Sequence, residues 1–181
     1  SWALVDTLAD FHSVDYVAAG LGDLGQPEGF AARQVEGWKA RFDAAKHEEL
    51  PEFYAHYEWL RENLPTAAQS SLVHNDYKFD NTMFEHGNPD RIVAMLDWDM
   101  TTLGDPLMDL GTLLGYWVEA NDSGLRAPGL ALTAQPGFPT RGELAQRYAA
   151  RRGIEVATID WYEAFALWKI AVIIQQIYIR Y

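Results

Sequence analysis

Several polar side chains in one short segment, and one acid further along, are of the types that metal-dependent group transfer needs. The segment runs from His74 to Asn81 and reads His-Asn-Asp-Tyr-Lys-Phe-Asp-Asn, and Asp97 follows sixteen positions later, directly behind an apolar run. Asp76 is a candidate general base, and Lys78 is a candidate cation for a transferred phosphate. Asn81 and Asp97 offer the hard oxygen ligands that Mg²⁺ prefers.

The order and spacing of these residues match a known catalytic loop. Protein kinases carry H-R-D-L-x-x-x-N, in which Asp is the base and Asn binds metal, with a second metal-binding Asp downstream. His74, Asp76 and Asn81 fit that pattern, and His74 is expected to pack and hydrogen-bond the loop. The pattern predicts phosphoryl transfer from ATP or another nucleoside triphosphate, with Mg²⁺ as cofactor. The alternative is a polar turn whose Asp and Asn side chains bond their own backbone.

A second motif overlaps the candidate metal ligands. Asp97-Trp98-Asp99-Met100-Thr101 reads D-x-D-x-T, which is typical of haloacid-dehalogenase phosphatases, where the first Asp is the nucleophile. The later acidic residues follow too closely for that family, and the chain lacks the alternating strands and helices of a doubly wound sheet. Asp99 is therefore retained as an additional metal-ligand candidate.

Other apparent motifs favour ordinary structure. Gly20 to Gly25 match G-x-G-x-x-G, but no buried strand precedes them, so an inter-helix loop is predicted. Four histidines show no metal-ligand spacing and are predicted to lie at the surface or at helix caps: His12, His47, His56 and His86. Tyr77 and Trp98 lie inside the motifs and are candidate substrate contacts.

The composition describes an acidic globular chain. It has 181 residues, 49% apolar content, seven Trp, no Cys and a net charge of −12. Such a charge argues against nucleic acid or anionic lipid as a partner, and without Cys no disulfide forms. No membrane span or signal peptide is predicted, because the apolar stretch from Ala164 to Ile179 is broken by Lys169. A cytoplasmic protein is expected, and a homodimer stays open.

Periodicity predicts an α+β chain, mostly α, with a few short strands that carry the catalytic loop. A turn is predicted at Asn88-Pro89-Asp90 and a long loop over Asn121–Thr140. The predicted helices are Trp2–His12, a helix opening near Gly29 and ending at Lys46, Pro51–Asn63, Pro106–Glu119, Arg141–Arg152 and Ile159–Arg180. The predicted strands are Ser71–His74, Thr82–Phe84 and Arg91–Leu96.

The stretch from Leu72 to Leu114 resembles the aminoglycoside phosphotransferase and choline-kinase-like family, in the branch associated with acyl-CoA dehydrogenases. The resemblance implies a protein-kinase-like carboxy-terminal lobe over residues 1–181. It implies Asp76 as the catalytic Asp, Asn81 and Asp97 as metal ligands, and Met83 beneath the adenine, with Leu96 also assigned to the nucleotide. Asp105 and Asp109, in the segment G-D-P-x-x-D-L, are expected to cap the following helix and brace the metal loop.

Two departures from the family pattern shape the functional expectation. Most relatives have Gly where this chain has Asn75. The sequence also contains no phosphate-covering hairpin and no strand Lys paired with a helix Glu, so the resemblance implies the carboxy-terminal lobe alone. Both ends are expected to be cut from something longer, because Ser1 begins directly in a helical pattern without an initiator Met and the chain stops on an apolar helix. The partners implied are the missing amino-terminal lobe and a small-molecule hydroxyl acceptor. A catalytically degenerate nucleotide- or metal-binding module is the competing hypothesis.

Overall fold

The computed structural model describes residues 2–67, 69–123 and 131–181. The chain is mainly helical, as predicted, with a small strand region in its middle. The helices are α1 (Trp2–His12), α2 (Phe30–Ala45), α3 (Pro51–Glu62), α4 (Leu107–Tyr116), α5 (Arg141–Arg152) and α6 (Ile159–Tyr178). The strands are β1 (Ser71–Val73), β2 (Thr82–Glu85), β3 (Asn88–Met95) and β4 (Thr102–Gly104), and 3-10 turns cover Phe79–Asn81 and Leu132–Ala134.

The helices begin and end where local signals place them. Helix α5 starts with a capping box, in which the Thr140 hydroxyl accepts from the Glu143 N–H and the Glu143 carboxylate accepts from the Thr140 N–H. It ends at Gly153, whose φ of 63° is left-handed. Helix α3 has Pro51 in its first turn, where a missing N–H costs nothing.

The strands form two separate antiparallel pairs. Strand β1 pairs with β4, and β2 pairs with β3. Strand β4 was not predicted. The predicted turn at Asn88–Asp90 is wrong, because Asn88 already pairs with Glu85 and the chain reverses at His86-Gly87. Gly87 has the positive φ (76°) that such a two-residue connection requires.

The core lies between α4 and α6, which approach each other closely. A Cβ at Gly111 would stand 2.6 Å from both the Cβ and the carbonyl oxygen of Tyr162, so only glycine permits this distance. Helices α2 and α3 close the same core with Trp38, Phe42 and Phe53. The packed helices form the base on which the strand region rests.

Two further findings bear on the sequence predictions. In the part of the chain that the structure describes, no helix is both long and apolar enough to cross a bilayer. Two small antiparallel sheets also replace the doubly wound parallel sheet that a haloacid-dehalogenase phosphatase needs. The predicted loop over Asn121–Thr140 includes residues 124–130, which lie outside the described residues, and its remainder contains a 3-10 turn at Leu132–Ala134.

Candidate active site

Residues 74–81 connect the two sheets, since they run from the end of β1 to the start of β2. His74 is fully buried at the entry of this loop. Its Nε2 lies 2.9 Å from the Leu96 carbonyl, and its Nδ1 lies 3.3 Å from the Asp76 amide nitrogen. A proton on Nε2 satisfies both contacts, because the carbonyl accepts and the amide donates. His74 therefore ties the loop to the strand end that precedes Asp97.

Asp76, Lys78 and Asn81 form one cluster at the mouth of the loop. The Asn81 Nδ2 donates to the Asp76 carboxylate oxygen Oδ2 at 2.9 Å and to the Asp76 carbonyl at 2.8 Å. The Lys78 ammonium pairs with the same carboxylate oxygen. The side chains of Asp76 and Lys78 are about four-fifths buried, at 20% and 19% exposed. The carboxylate is thus oriented from two sides and still reachable from solvent.

Asp97 lies next to this cluster through the backbone. The Leu96 N–H donates to the Asn81 carbonyl at 2.9 Å. Asp97 directly follows Leu96, so the backbone brings it close to Asn81. Asp97 is exposed and has a left-handed φ of 65°, a conformation that Asp tolerates better than most residues. Asp99 is exposed two residues further on.

The side chains near the loop that could bind a metal are an amide and a few carboxylates. Within the described ranges, no three His, Cys, Asp or Glu side chains lie close enough together to hold an ion. Because Nδ2 of Asn81 is committed to Asp76, Oδ1 is the amide atom free to coordinate. Such a sparse oxygen set suits Mg²⁺, which uses one or two carboxylates and completes its shell with water and phosphate.

Two exposed apolar side chains flank the cluster. Met83 on β2 is 50% exposed, and Leu96, just past β3, is 41% exposed. Met83 pairs with Ala94, two residues before Leu96, so the two side chains point to the same face of the hairpin. This face offers a small apolar surface beside the polar loop.

A buried carboxylate holds the loop from below. Asp109 on α4 accepts the backbone N–H groups of His74 and Asn75, each at 2.6 Å. His12 lies 3.1 Å from the same carboxylate and 2.6 Å from the hydroxyl of Tyr148. The prediction that His12 lies at the surface or at a cap is wrong. Its side chain is buried between the Tyr148 hydroxyl on α5 and the Asp109 carboxylate, which in turn binds the loop.

Asp105 acts at the start of α4. Its carboxylate accepts the Leu107 N–H at 3.0 Å and the Tyr162 hydroxyl at 2.5 Å. Burial raises the pKa of Asp105 above its ordinary value, and the two hydrogen bonds oppose that rise. Asp105 therefore joins α4 to α6 at the helix beginning.

Asn75 and Lys169 were not predicted to take part in the site. Asn75 has a left-handed φ of 64°, and its side chain donates to the Met100 carbonyl at 2.8 Å. The Lys169 ammonium donates to the Asn75 carbonyl at 2.5 Å. The sequence signal for Lys169 was a single cation in an otherwise apolar helical stretch.

The two candidate substrate contacts differ in exposure. Tyr77 is fully buried and donates to the Leu4 carbonyl at 2.8 Å, so its predicted contact with substrate is wrong. Trp98 is 44% exposed, and its indole N–H donates to the Met95 carbonyl. Gly20–Gly25 lie between α1 and α2, as the predicted inter-helix loop requires.

Comparison with known proteins agrees with this arrangement. A model of the phosphotransferase enzyme family matches residues 3–164. Acyl-CoA dehydrogenase family member 11 of Rattus norvegicus is 35% identical over 99% of this chain, and family member 10 of Mus musculus is 32% identical over 98%. The chain spans 23% and 17% of the lengths of those proteins.

A crystal structure from Ralstonia eutropha, assigned as an aminoglycoside phosphotransferase, superposes with a TM-score of 0.85 at 34% identity. The superposition covers 99% of this chain and 56% of that one. The predicted resemblance and the kinase-like fold are thereby confirmed, as is the link to the acyl-CoA dehydrogenase branch. The chain belongs to the phosphotransferase enzyme family.

Proposed function

We propose that this chain is the catalytic-loop lobe of an ATP-dependent phosphotransferase that moves the γ-phosphate to a hydroxyl of a small molecule. One observation carries the proposal: the Asp76 carboxylate is 2.9 Å from the Asn81 amide, whose backbone pairs with Leu96 next to Asp97. The candidate base and amide ligand thus share one loop cluster, and the backbone brings the candidate acid ligand next to it, in a chain of this family.

Asp76 would take the proton of the acceptor hydroxyl as its oxygen bonds to the γ-phosphorus, while the bond from that phosphorus to the β,γ-bridging oxygen breaks and the nucleoside diphosphate leaves. A positioned carboxylate typically contributes about 10²–10⁴-fold to such a step. The Asn81 N–H holds the carboxylate in a fixed direction. Lys78 is paired with Asp76 in this structure, and its ammonium is within reach of the group that Asp76 serves. Lys78 would offset the charge of the transferred phosphoryl group.

Asn81 and Asp97 would hold Mg²⁺, with Asp99 as a further oxygen ligand. The ion would offset the negative charge of the phosphates. Met83 and Leu96 would pack against the base of ATP or another nucleoside triphosphate, since their exposed face is apolar and adjoins the cluster.

The groups that clamp the β- and γ-phosphates are proposed to come from a further lobe of the complete natural protein. In the ranges that the structure describes, no Gly-rich hairpin is followed by a strand Lys. We therefore expect the isolated chain to bind metal weakly and to show little or no turnover. A single-lobe preparation that turned over ATP at about 1–100 s⁻¹, the usual kinase range, would contradict this expectation.

The acceptor is proposed to enter beside Lys78. A cavity of about 220 Å³ adjoins the loop there. Burial, with Asp76 and Asp80 nearby, raises the pKa of Tyr116 and keeps its hydroxyl neutral. The acceptor classes that remain are aminoglycosides, amino alcohols and hydroxyacyl thioesters or related hydroxylated metabolites. The described lining consists of Lys78, Phe79, Asp80, Tyr116, Val118, Ala131, Leu132 and Thr133.

The decisive experiment uses the complete natural protein with radiolabelled ATP, Mg²⁺ and a panel of these acceptors. Asp76→Asn should lower transfer by about 10²–10⁴-fold without loss of ATP binding. Asp90→Asn, at an exposed strand position, is the matched control and should leave transfer unchanged. Mg²⁺-dependent ATP binding without transfer to any acceptor would instead indicate a degenerate binding module. Beryllofluoride trapping on Asp97 would indicate the phosphatase chemistry.

A further inference from the structure

Lys169 is a buried cation placed directly beneath the catalytic loop. It lies on α6, is 5% exposed, and its ammonium donates to the Asn75 carbonyl at 2.5 Å. The ammonium also lies 5.1 Å from the centroid of the Trp38 ring on α2. A core helix and an aromatic side chain thus hold a charge against the peptide unit that precedes Asp76.

Charged groups on the 74–81 loop, on α4 and on α2 act on Lys169. Asp76 on the loop and Asp109 on α4 favour the charged amine, and Lys78 and Arg41 oppose it. Burial is the largest influence and lowers the pKa of Lys169 to about 8. Its hydrogen-bond acceptor is a neutral backbone carbonyl, and the two carboxylates act on it through space.

Burying a charged amine in the core costs free energy, because the charge is removed from water. A buried charge can often be replaced by an apolar side chain of similar volume without loss of stability. Buried groups with displaced pKa values concentrate at functional sites. The carbonyl that Lys169 holds belongs to Asn75, whose N–H is held by Asp109 and whose side chain is held by Met100. Asn75, which directly precedes Asp76, is therefore fixed at three points, and Lys169 supplies the charged donor among them.

We propose that Lys169 is a positioning residue for Asp76: its charged form holds the Asn75 carbonyl and so directs the Asp76 carboxylate toward the acceptor hydroxyl. This inference rests on the proposed function. Loss of the proton weakens the hydrogen bond and removes a positive charge near Asp76. Turnover should then decline as the pH rises through the range in which Lys169 titrates.

The test uses the complete natural protein and Mg·ATP hydrolysis with water as acceptor, so that no acceptor need be known. Lys169→Met keeps the volume and removes the charge, and Lys169→Arg keeps the charge at all accessible pH. Lys39→Met is the matched control, because Lys39 is a partly exposed amine on α2 paired with Asp43. Thermal unfolding of each variant verifies folding, and kcat, the KM for ATP and kcat/KM are measured from pH 6 to 10.

We expect wild type and Lys39→Met to lose kcat/KM above about pH 8, since that ratio reports groups of the free enzyme. In Lys169→Met, kcat should drop by about 10–100-fold with little change in the KM for ATP, and the alkaline decline should vanish. In Lys169→Arg, the decline should be absent up to pH 10, because the guanidinium stays charged. An unchanged alkaline decline in Lys169→Met would overturn the proposal.

A second measurement separates this inference from the proposed function. NMR of protein labelled with [ε-¹³C]lysine, with the Lys169 signal assigned from its absence in Lys169→Arg, should show a titration near pH 8, together with a shift of the Asn75 amide. A wild type that transfers phosphate neither to water nor to any acceptor of the panel would refute the proposed function, whatever the titration. An Asn75 amide that ignores the Lys169 titration would refute the positioning role even in an active enzyme.

Discussion

The N–H of Asn75 donates to the Asp109 carboxylate at 2.6 Å, so a residue on a core helix sets the path of the 74–81 loop. The second oxygen of the same carboxylate accepts from His74 and contacts His12. The loop is consequently held by the helical core rather than by sheet hydrogen bonds. Its geometry should respond to changes made far from any substrate.

Asp109→Asn should destabilise the protein and reduce activity together. The amide would turn a donor toward the His74 N–H, leaving buried donors without an acceptor. Removing one partner of such a buried charged group costs about 3 kcal/mol. Urea unfolding followed by Trp fluorescence measures the loss. Asp23→Asn in the exposed loop before α2 is the control, and equal stability of the two variants would refute the bracing role of Asp109.

Asn75 gives a paired test of backbone strain against side-chain bonding. Asn75→Gly removes the Met100 contact but suits the left-handed φ, so we expect a loss of about 1 kcal/mol. Asn75→Ala removes the contact and adds about 1–2 kcal/mol of left-handed strain. Chemical denaturation should rank wild type above the Gly variant and the Gly variant above the Ala variant. The reverse order of the two variants would show that φ does not limit this position.

Gly111→Ala tests the close approach of α4 and α6. The added methyl would meet the backbone of Tyr162 at 2.6 Å, and overpacking of this kind costs about 1–3 kcal/mol. Gly37→Ala is the opposite control in the interior of α2, because no atom lies within 4 Å of its added Cβ. There the change should stabilise by about 0.5–1 kcal/mol. Thermal melts of both variants that moved in the same direction would contradict the helix spacing.

The raised pKa of Asp105 predicts that the stability of the protein depends on pH. Its folded pKa is raised by burial, so the native state keeps the proton to higher pH than the unfolded chain does. The stabilising contribution of this group is therefore full below an ordinary Asp pKa of about 4 and is lost as the pH rises through the folded value. The Asp105→Asn variant has an amide in place of the carboxyl group, so it lacks this titration. The unfolding free energy of wild type relative to Asp105→Asn should fall as the pH rises above about 4, and a constant difference would be evidence against a raised pKa.

The sequence predicted the elements whose signals are local. Helices α1 and α5 have the predicted bounds, since apolar periodicity, a capping box and Gly153 define them without distant partners. Strand β4 was missed because Thr102–Gly104 is too short to alternate, and it exists as a strand through its pairing with β1. The turn between β2 and β3 was misplaced because Pro89 suggested a turn inside what became the strand.

The residues of the candidate site also differ in whether local sequence signals predict them. The candidate residues Asp76 and Asn81 are recognisable from order and spacing, because one continuous loop contains them, and Asp97 follows at the expected distance after β3. The supports of the loop come from distant elements: His12 lies 97 residues from Asp109, and Lys169 lies 94 residues from Asn75. No local pattern predicts such contacts, since they exist only after α1, α4 and α6 pack together.

The absence of cysteine has a practical consequence for the hairpin turn at His86-Gly87. Both residues are exposed, and the turn lies at the far end of the β2–β3 hairpin from Asn81 and Leu96. A cysteine introduced at His86 would be the sole thiol in the 181 residues and would accept a fluorophore without displacing any contact of the loop. Its emission would then track hairpin movement when a nucleotide is added.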